Sequence, residues 1–86
     1  MPYIQKERRP PIDAGIDIAL KAIDNPGDLN YAITSLCLGW LAKHKPSYQK
    51  FNGAIGVLHC AAMELYRTRV VPYEERAKTR NGGISQ

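Results

Sequence analysis

The chain has 86 residues, of which 44% are apolar, and a formal net charge of +4. This length allows one domain, close to the smallest size at which a single core is sufficient, so self-association would add useful stability. The apolar fraction excludes a disordered chain. The excess of Lys and Arg favours an anionic partner, although the charge alone does not establish a nucleic-acid binder.

Hydropathy and cysteine usage predict the compartment. No stretch approaches the ~20 apolar residues that are needed to span a bilayer, and no signal peptide is recognisable. Cys37 and Cys60 lie within apolar runs, which is typical of buried free thiols in a reducing compartment, and a disulfide between them stays open. We therefore expect a soluble, cytoplasmic protein of a bacterium or an infected host cell, with no membrane partner.

The first helix is predicted to begin at Pro10-Pro11, after an extended N-terminal arm of residues 1–9. A proline is tolerated at the start of a helix because the backbone N–H that it lacks would have no partner there. Apolar residues then recur at helical spacing and form one stripe. The stripe consists of Ile12, Ile16, Ala19, Leu20 and Ile23.

The second helix is predicted to start near Pro26 and to end at Lys43 or His44. Either Asn25 caps it or Asp28 is itself the cap. Its apolar residues fall on two nearly opposite sides, which is typical of a helix that is central in a domain or shared with another subunit. The main face carries Leu29, Ile33, Leu36 and Trp40, and the second line carries Tyr31, Leu38 and Ala42.

The third and longest helix is predicted to open at Pro46-Ser47, and Pro72 either ends it or kinks it. Its core stripe consists of Tyr48, Phe51, Ile55, Leu58, Ala62, Leu65 and Tyr66. Beside the stripe lie Gly53, Gly56 and Cys60. Each helical glycine costs ~1 kcal/mol relative to alanine, so close approach by another helix is the expected reason for them.

These elements predict an all-α fold, a small three-helix domain with a kinked or extended third helix. The domain is expected to span residues 10–75, between the arm and a flexible C-terminal tail, 76–86, that contains Gly82-Gly83. The second and third helices offer more apolar surface than a three-helix monomer can use, so we also expect an oligomer.

No set of catalytic residues is recognisable. His59 precedes Cys60, but adjacent positions on a helix point in different directions, so the two cannot act as base and nucleophile. No Cys-x-x-Cys, His-Glu-x-x-His or calcium-loop spacing is present, and no glycine-rich phosphate loop follows a strand. We therefore expect a protein that is not an enzyme and has no metal and no cofactor.

Basic, aromatic and amide side chains are the remaining candidates for binding. Arginine guanidinium groups bind phosphates in a bidentate manner, and tyrosine rings offer faces for base stacking. The alternative roles are ion pairs or helix-dipole contacts for the arginines, and bonds to nearby backbone for the asparagines. The predicted ligand-binding residues are Arg9, Asn30, Tyr31, Asn52, Arg67, Arg69 and Tyr73.

Three segments carry a resemblance to a known family. They are Met1-Pro2-Tyr3-Ile4, Asn25-Pro26-Gly27-Asp28-Leu29-Asn30-Tyr31, and the stretch from Tyr66 to Pro72-Tyr73-Glu74. Over most of residues 1–75 the chain resembles a family of short uncharacterised proteins of phages and bacteria. In size, charge and class it is similar to small oligomeric phage proteins, or sponges, that sequester cyclic oligonucleotide signals of bacterial immunity. The resemblance implies an anti-defence role and assigns no individual ligand residue.

The leading hypothesis is a non-catalytic, homo-oligomeric sponge for a small anionic (cyclic) nucleotide, bound where subunits meet. The alternative is a small phage or bacterial accessory factor that binds nucleic acid or a host protein through its basic arm and tail. A third reading is a purely structural subunit. Added salt separates the first two, because binding to a nucleic-acid duplex weakens steeply with salt and binding of a small ligand in a pocket does not.

Overall fold

The computed structural model describes residues 2–84, which are mainly helical and contain no β-strand, so the predicted all-α class is confirmed. Within these residues there are three helices, and the third is long and bent, as predicted; it consists of two α-helical segments, named α3 and α4 below, joined by a π-helical turn. The elements in chain order are a 3₁₀ turn, Lys6–Arg8; α1, Arg9–Leu20; α2, Pro26–Ala42; α3, Tyr48–Leu65; a π-helical turn, Tyr66–Val70; and α4, Val71–Asn81. None of the helices in this range is both long enough and apolar enough to cross a bilayer.

Helical structure begins earlier than predicted, because the end of the N-terminal arm is folded. Residues Lys6–Arg8 form the 3₁₀ turn, and Arg9 is the first residue of α1. The guanidinium of Arg9 donates two hydrogen bonds to the carbonyl oxygen of Ile4, at 2.9 Å from Nε and 2.7 Å from Nη2. The predicted extended arm is therefore shorter and ends at Gln5.

Asn25, rather than Asp28, caps α2. The Oδ1 atom of Asn25 accepts a hydrogen bond from the N–H of Asp28 at 2.8 Å, and Pro26 takes the first helical position. The carboxylate of Asp28 in turn accepts from the N–H of Asp24 at 3.1 Å. The Asn25 side chain thus satisfies one backbone donor that the helix itself leaves without a partner, and the Asp28 carboxylate holds the chain just before the cap.

Ser47 caps α3, and Pro72 bends the third helix rather than ending it. The Ser47 hydroxyl accepts a hydrogen bond from the N–H of Lys50 at 3.1 Å. From Tyr48 the helix continues through the π-helical turn to Asn81. Of the two alternatives for Pro72, the structure therefore selects the kink.

Most of the predicted flexible tail is helical, because α4 extends to Asn81. Glutamates, alanine, lysine and arginines dominate residues 74–80, and all of them favour helix. Lys78 and Arg80 lie in the last turn, where cations interact favourably with the helix dipole. Gly82 ends the helix with a φ of 83°, and its N–H donates to the carbonyl of Lys78 at 2.8 Å. Residues 85–86 of the predicted tail lie outside the described residues.

The chain divides into two compact units, Met1–Ala54 and Ile55–Gln86. In the first unit, Trp40 near the end of α2 packs edge-on against His44, with ring centroids 5.0 Å apart. The Nζ atom of Lys50, from the first turn of α3, lies 5.7 Å from the centroid of the Trp40 ring. This aromatic and cationic cluster joins the end of α2 to the start of α3.

The predicted apolar faces are helical as expected, but they do not form an enclosed core within one chain. Among the described residues only Ala54 is buried, at 7% exposure, whereas Trp40 is 41% and Tyr31 76% exposed. Cys37 and Cys60 are free thiols, but neither is buried as expected: Cys37 is half-buried and Cys60 is exposed. Helical periodicity predicted the helices, and it could not predict what covers their apolar side chains.

Candidate functional site

The bend between α3 and α4, at Tyr66–Val70, carries two of the predicted ligand-binding residues, Arg67 and Arg69, and a third, Tyr73, follows in the first turn of α4. At this bend the N–H of Val71 donates to the carbonyl of Tyr66, five residues back instead of four. Pro72 has no N–H to offer the carbonyl of Thr68, and its ring crowds that carbonyl, so the helix widens into a π-helical turn. The Thr68 hydroxyl donates to the carbonyl of Glu64 at 2.9 Å, a contact that often accompanies helix bending.

Arg67, on the π-helical turn, is paired with Glu64. Its Nη2 atom donates to Oε1 of that carboxylate, three residues earlier in the helix. The Arg67 side chain is 66% exposed and the Glu64 side chain 26%. An ion pair this accessible to solvent contributes at most about 1 kcal/mol to stability.

Arg69 and Tyr73 provide a second cation and an aromatic ring at the same bend. Both side chains are exposed, and Arg69 makes no ion pair with any residue between 2 and 84. A spacing of four residues along a helix places side chains on the same side. We therefore expect Arg69 and Tyr73 to be accessible together to a ligand that carries both a phosphate and a base.

The other four predicted ligand-binding residues belong to the first unit. Arg9 is half-buried and holds the carbonyl of Ile4, which is a structural contact. The side-chain carbonyl of Asn30 accepts a hydrogen bond from the Thr34 hydroxyl at 3.0 Å. Tyr31 and Asn52 are exposed on α2 and α3. These residues are distributed over three helices, whereas Arg67, Arg69 and Tyr73 lie within seven consecutive residues at and just after the bend.

Sequence reasoning missed the π-helical turn itself. Two features of the sequence could have indicated this turn. Pro72 lies inside a helical pattern, and Thr68, four residues earlier, is the residue whose carbonyl the proline ring crowds. The pairing of Arg67 with Glu64 follows from their three-residue spacing and was among the alternatives that the sequence offered. Tyr66, on the same turn, is a further exposed aromatic side chain.

An open depression lies between α4 and residues 82–84. Glu74 and Glu75 line it together with Lys78, so its charge disfavours an anion. No group of three or more His, Cys, Asp or Glu side chains within residues 2–84 is arranged to hold a metal ion. The bend at Tyr66–Val70 is therefore the candidate site that best suits an anionic ligand.

Comparison with known proteins places the chain in a family. A family model described as Domain of unknown function (DUF6899) matches residues 1–84. No curated protein and no solved structure matches the chain. The match includes all three segments on which the resemblance to an uncharacterised family rested. Because it covers nearly the whole chain, the protein belongs to the DUF6899 family, a domain of unknown function.

Proposed function

We propose that this protein binds a small anionic nucleotide, such as a cyclic oligonucleotide signal, without turning it over, and that it acts as a homo-oligomer. The observation that carries the proposal is the bend between α3 and α4, where Arg67 and Arg69 lie exposed on a π-helical turn. Such turns are rare and recur at functional sites, where the widened backbone redirects side chains.

The chemistry of this bend suits a nucleotide. The guanidinium groups of Arg67 and Arg69 are cations that present planar pairs of donors, which match phosphate oxygens. Tyr66 and Tyr73 are exposed and offer ring faces on which a base can stack. The net charge of +4 adds a long-range attraction for anions.

Calorimetric titration with a panel of cyclic di- and trinucleotides tests the proposal. We expect Arg67→Ala and Arg69→Ala each to weaken binding about ten- to hundred-fold, which corresponds to losing one charge-assisted phosphate contact of ~1.5–3 kcal/mol. Arg80→Ala is the matched control, because it removes the same charge from the exposed last turn of α4. Far-UV circular dichroism establishes that each variant is folded.

Two results contradict this proposal. If the wild-type protein binds no member of the panel, a cyclic nucleotide is not its ligand. If all three variants bind with equal affinity, the binding site does not lie at the bend. Binding without turnover requires in addition that the nucleotide released by denaturation is chemically intact. Recovery of a hydrolysed product would make the protein an enzyme instead.

A second candidate is the nucleic-acid or host-protein accessory factor. The observation in its favour is the exposure of basic residues at both ends of the helical region, Lys6 and Arg8 on the 3₁₀ turn and Lys78 and Arg80 on α4. Duplex binding through several phosphates would weaken steeply between 50 and 200 mM salt, by about ten-fold or more. A shallow salt dependence together with nucleotide binding favours the first proposal.

A further inference from the structure

Large apolar side chains are exposed on each of the main helices. On α2 the most accessible are Tyr31, Leu36 and Leu38, and on α3 they include Tyr48, Val57 and Met63. Monomeric proteins expose single apolar residues routinely, but rarely so many large ones along several helices. Such exposure marks helices that another molecule covers.

Two spans of the sequence also lack charge altogether. Residues 29–42, nearly all of α2, and residues 51–63, most of α3, contain no Asp, Glu, Lys or Arg. A helix that faces water on one side normally carries charged residues on that side, whereas one without them is buried all round. The sequence of α2 and α3 is therefore that of interior helices, although the single chain leaves them accessible.

Two glycines in these helices have no packing neighbour within the chain. A Cβ atom added at Gly39 in α2 or at Gly56 in α3 would meet no atom within 4 Å. A glycine in a helix interior costs ~1 kcal/mol relative to alanine, so its presence calls for a compensating contact. Close approach of a helix from another molecule supplies one.

The accessible surface area gives the size of the missing contact. Thirteen large apolar side chains on α2 and α3 are between 37% and 80% exposed, and at roughly 100 Å² each they offer about 1,300 Å² per copy. Obligate homo-oligomer interfaces bury about 2,000–5,000 Å² or more in total, so an interface that covered these side chains on two copies would belong to that class.

We propose that a second copy of this chain covers α2 and α3, and that folding and association are one process. A second copy fits because it carries the same charge-free helices, and a symmetric interface pairs like surface with like. A second copy is also present wherever the chain is made. A chain that depended on a different protein would leave its apolar helices in water until that protein bound. This inference rests on the homo-oligomer part of the proposed function, which it assigns to particular helices, and not on the nucleotide, so it is measured without any ligand.

Sedimentation velocity and circular dichroism of the full chain test the inference. The wild type is expected to sediment at micromolar concentration as a multiple of 9.6 kDa and to be helical. A hundred-fold dilution should lower its Tm by about 5–10 °C, because dilution favours the separated, unfolded chains. Raising NaCl should leave the assembly intact, since the covered surface is apolar.

Matched variants locate the interface. Leu36→Glu and Val57→Glu place a charge within α2 and α3 and should abolish the assembly and with it the helical signal. Ile84→Glu makes a comparable change beyond the end of α4 and should leave both unchanged. A wild type that melts cooperatively as a 9.6 kDa monomer overturns the proposal. So does a wild type that is unfolded alone, which would indicate a different partner, and so does an intact assembly in both glutamate variants.

Discussion

Glu64 is the residue that would compete with an anionic ligand for Arg67. Because the two side chains are ion-paired, a ligand phosphate that binds Arg67 has to share or displace the carboxylate. We expect Glu64→Gln, which keeps the side-chain size and removes the charge, to strengthen nucleotide binding about five-fold, as for the loss of ~1 kcal/mol of competition. Calorimetric titration measures it, with Glu75→Gln on α4 as the control for net charge. Weaker binding in Glu64→Gln would mean that the carboxylate positions Arg67 instead.

Trp40 is the side chain that links the end of α2 to the start of α3. It contacts His44 through its ring edge and Lys50 through its ring face, and it is 41% exposed. We expect Trp40→Ala to lower the free energy of unfolding by about 2 kcal/mol, less than the ~3–5 kcal/mol of a fully buried tryptophan. Lys50→Ala, which removes only the cation–π contact, should cost about 0.5–1 kcal/mol. Urea denaturation at one protein concentration compares the two variants. Equal losses of unfolding free energy would mean that the cation–π contact accounts for the whole contribution of Trp40.

At the scale of elements, the start of α2 depends on the Asn25 cap. Asn25→Ala leaves the N–H of Asp28 without its partner and should lower the free energy of unfolding by about 1 kcal/mol. Asn25→Ser keeps an acceptor at the same position and should restore most of that loss. Thermal melts of the two variants at matched concentration provide the measurement. If serine is no better than alanine, the hydrogen bond is not what stabilises this helix end.

The bend depends on Pro72. Pro72→Ala restores a backbone N–H and removes the crowding ring, so the π-helical turn should revert towards regular α-helix and the unfolding free energy should rise by about 1–3 kcal/mol. Because the turn orients Arg67 and Arg69, nucleotide affinity should fall at the same time. NMR chemical shifts of residues 66–71 report the backbone, and Pro46→Ala in the loop before α3 is the control. Higher stability with unchanged nucleotide affinity would show that the bend does not contribute to nucleotide binding.

At the scale of the whole molecule, Cys60 serves as a probe of the proposed interface. It is exposed in the single chain and lies on α3 within the charge-free span of residues 51–63. In a Cys37→Ser background we expect maleimide to modify Cys60 at least ten-fold more slowly in the native assembly than in urea, because a second copy covers α3. Modification at the same rate in both conditions would place Cys60 outside the interface.

The sequence by itself determined the elements that depend on neighbouring residues. The start of α3 at Pro46-Ser47 was predictable, and the cap of α2 was narrowed to Asn25 or Asp28, because each cap rests on a hydrogen bond between residues three apart. The pairing of Arg67 with Glu64 is local in the same way. The all-α class followed from apolar residues recurring at helical spacing, a property of the sequence alone.

Only the tertiary structure decided how far the helices extend and what they bury. Whether Pro72 ends or bends a helix depends on whether the residues beyond it continue the helix, and here they do, as far as Asn81. The hydrogen bonds from Arg9 to Ile4 likewise require the arm to turn back, which no periodicity encodes. The spacing of apolar residues along the sequence determines which side of a helix they share, because that depends only on the number of residues in one helical turn. Burial depends instead on which distant surfaces meet, and the single chain leaves those on α2 and α3 exposed.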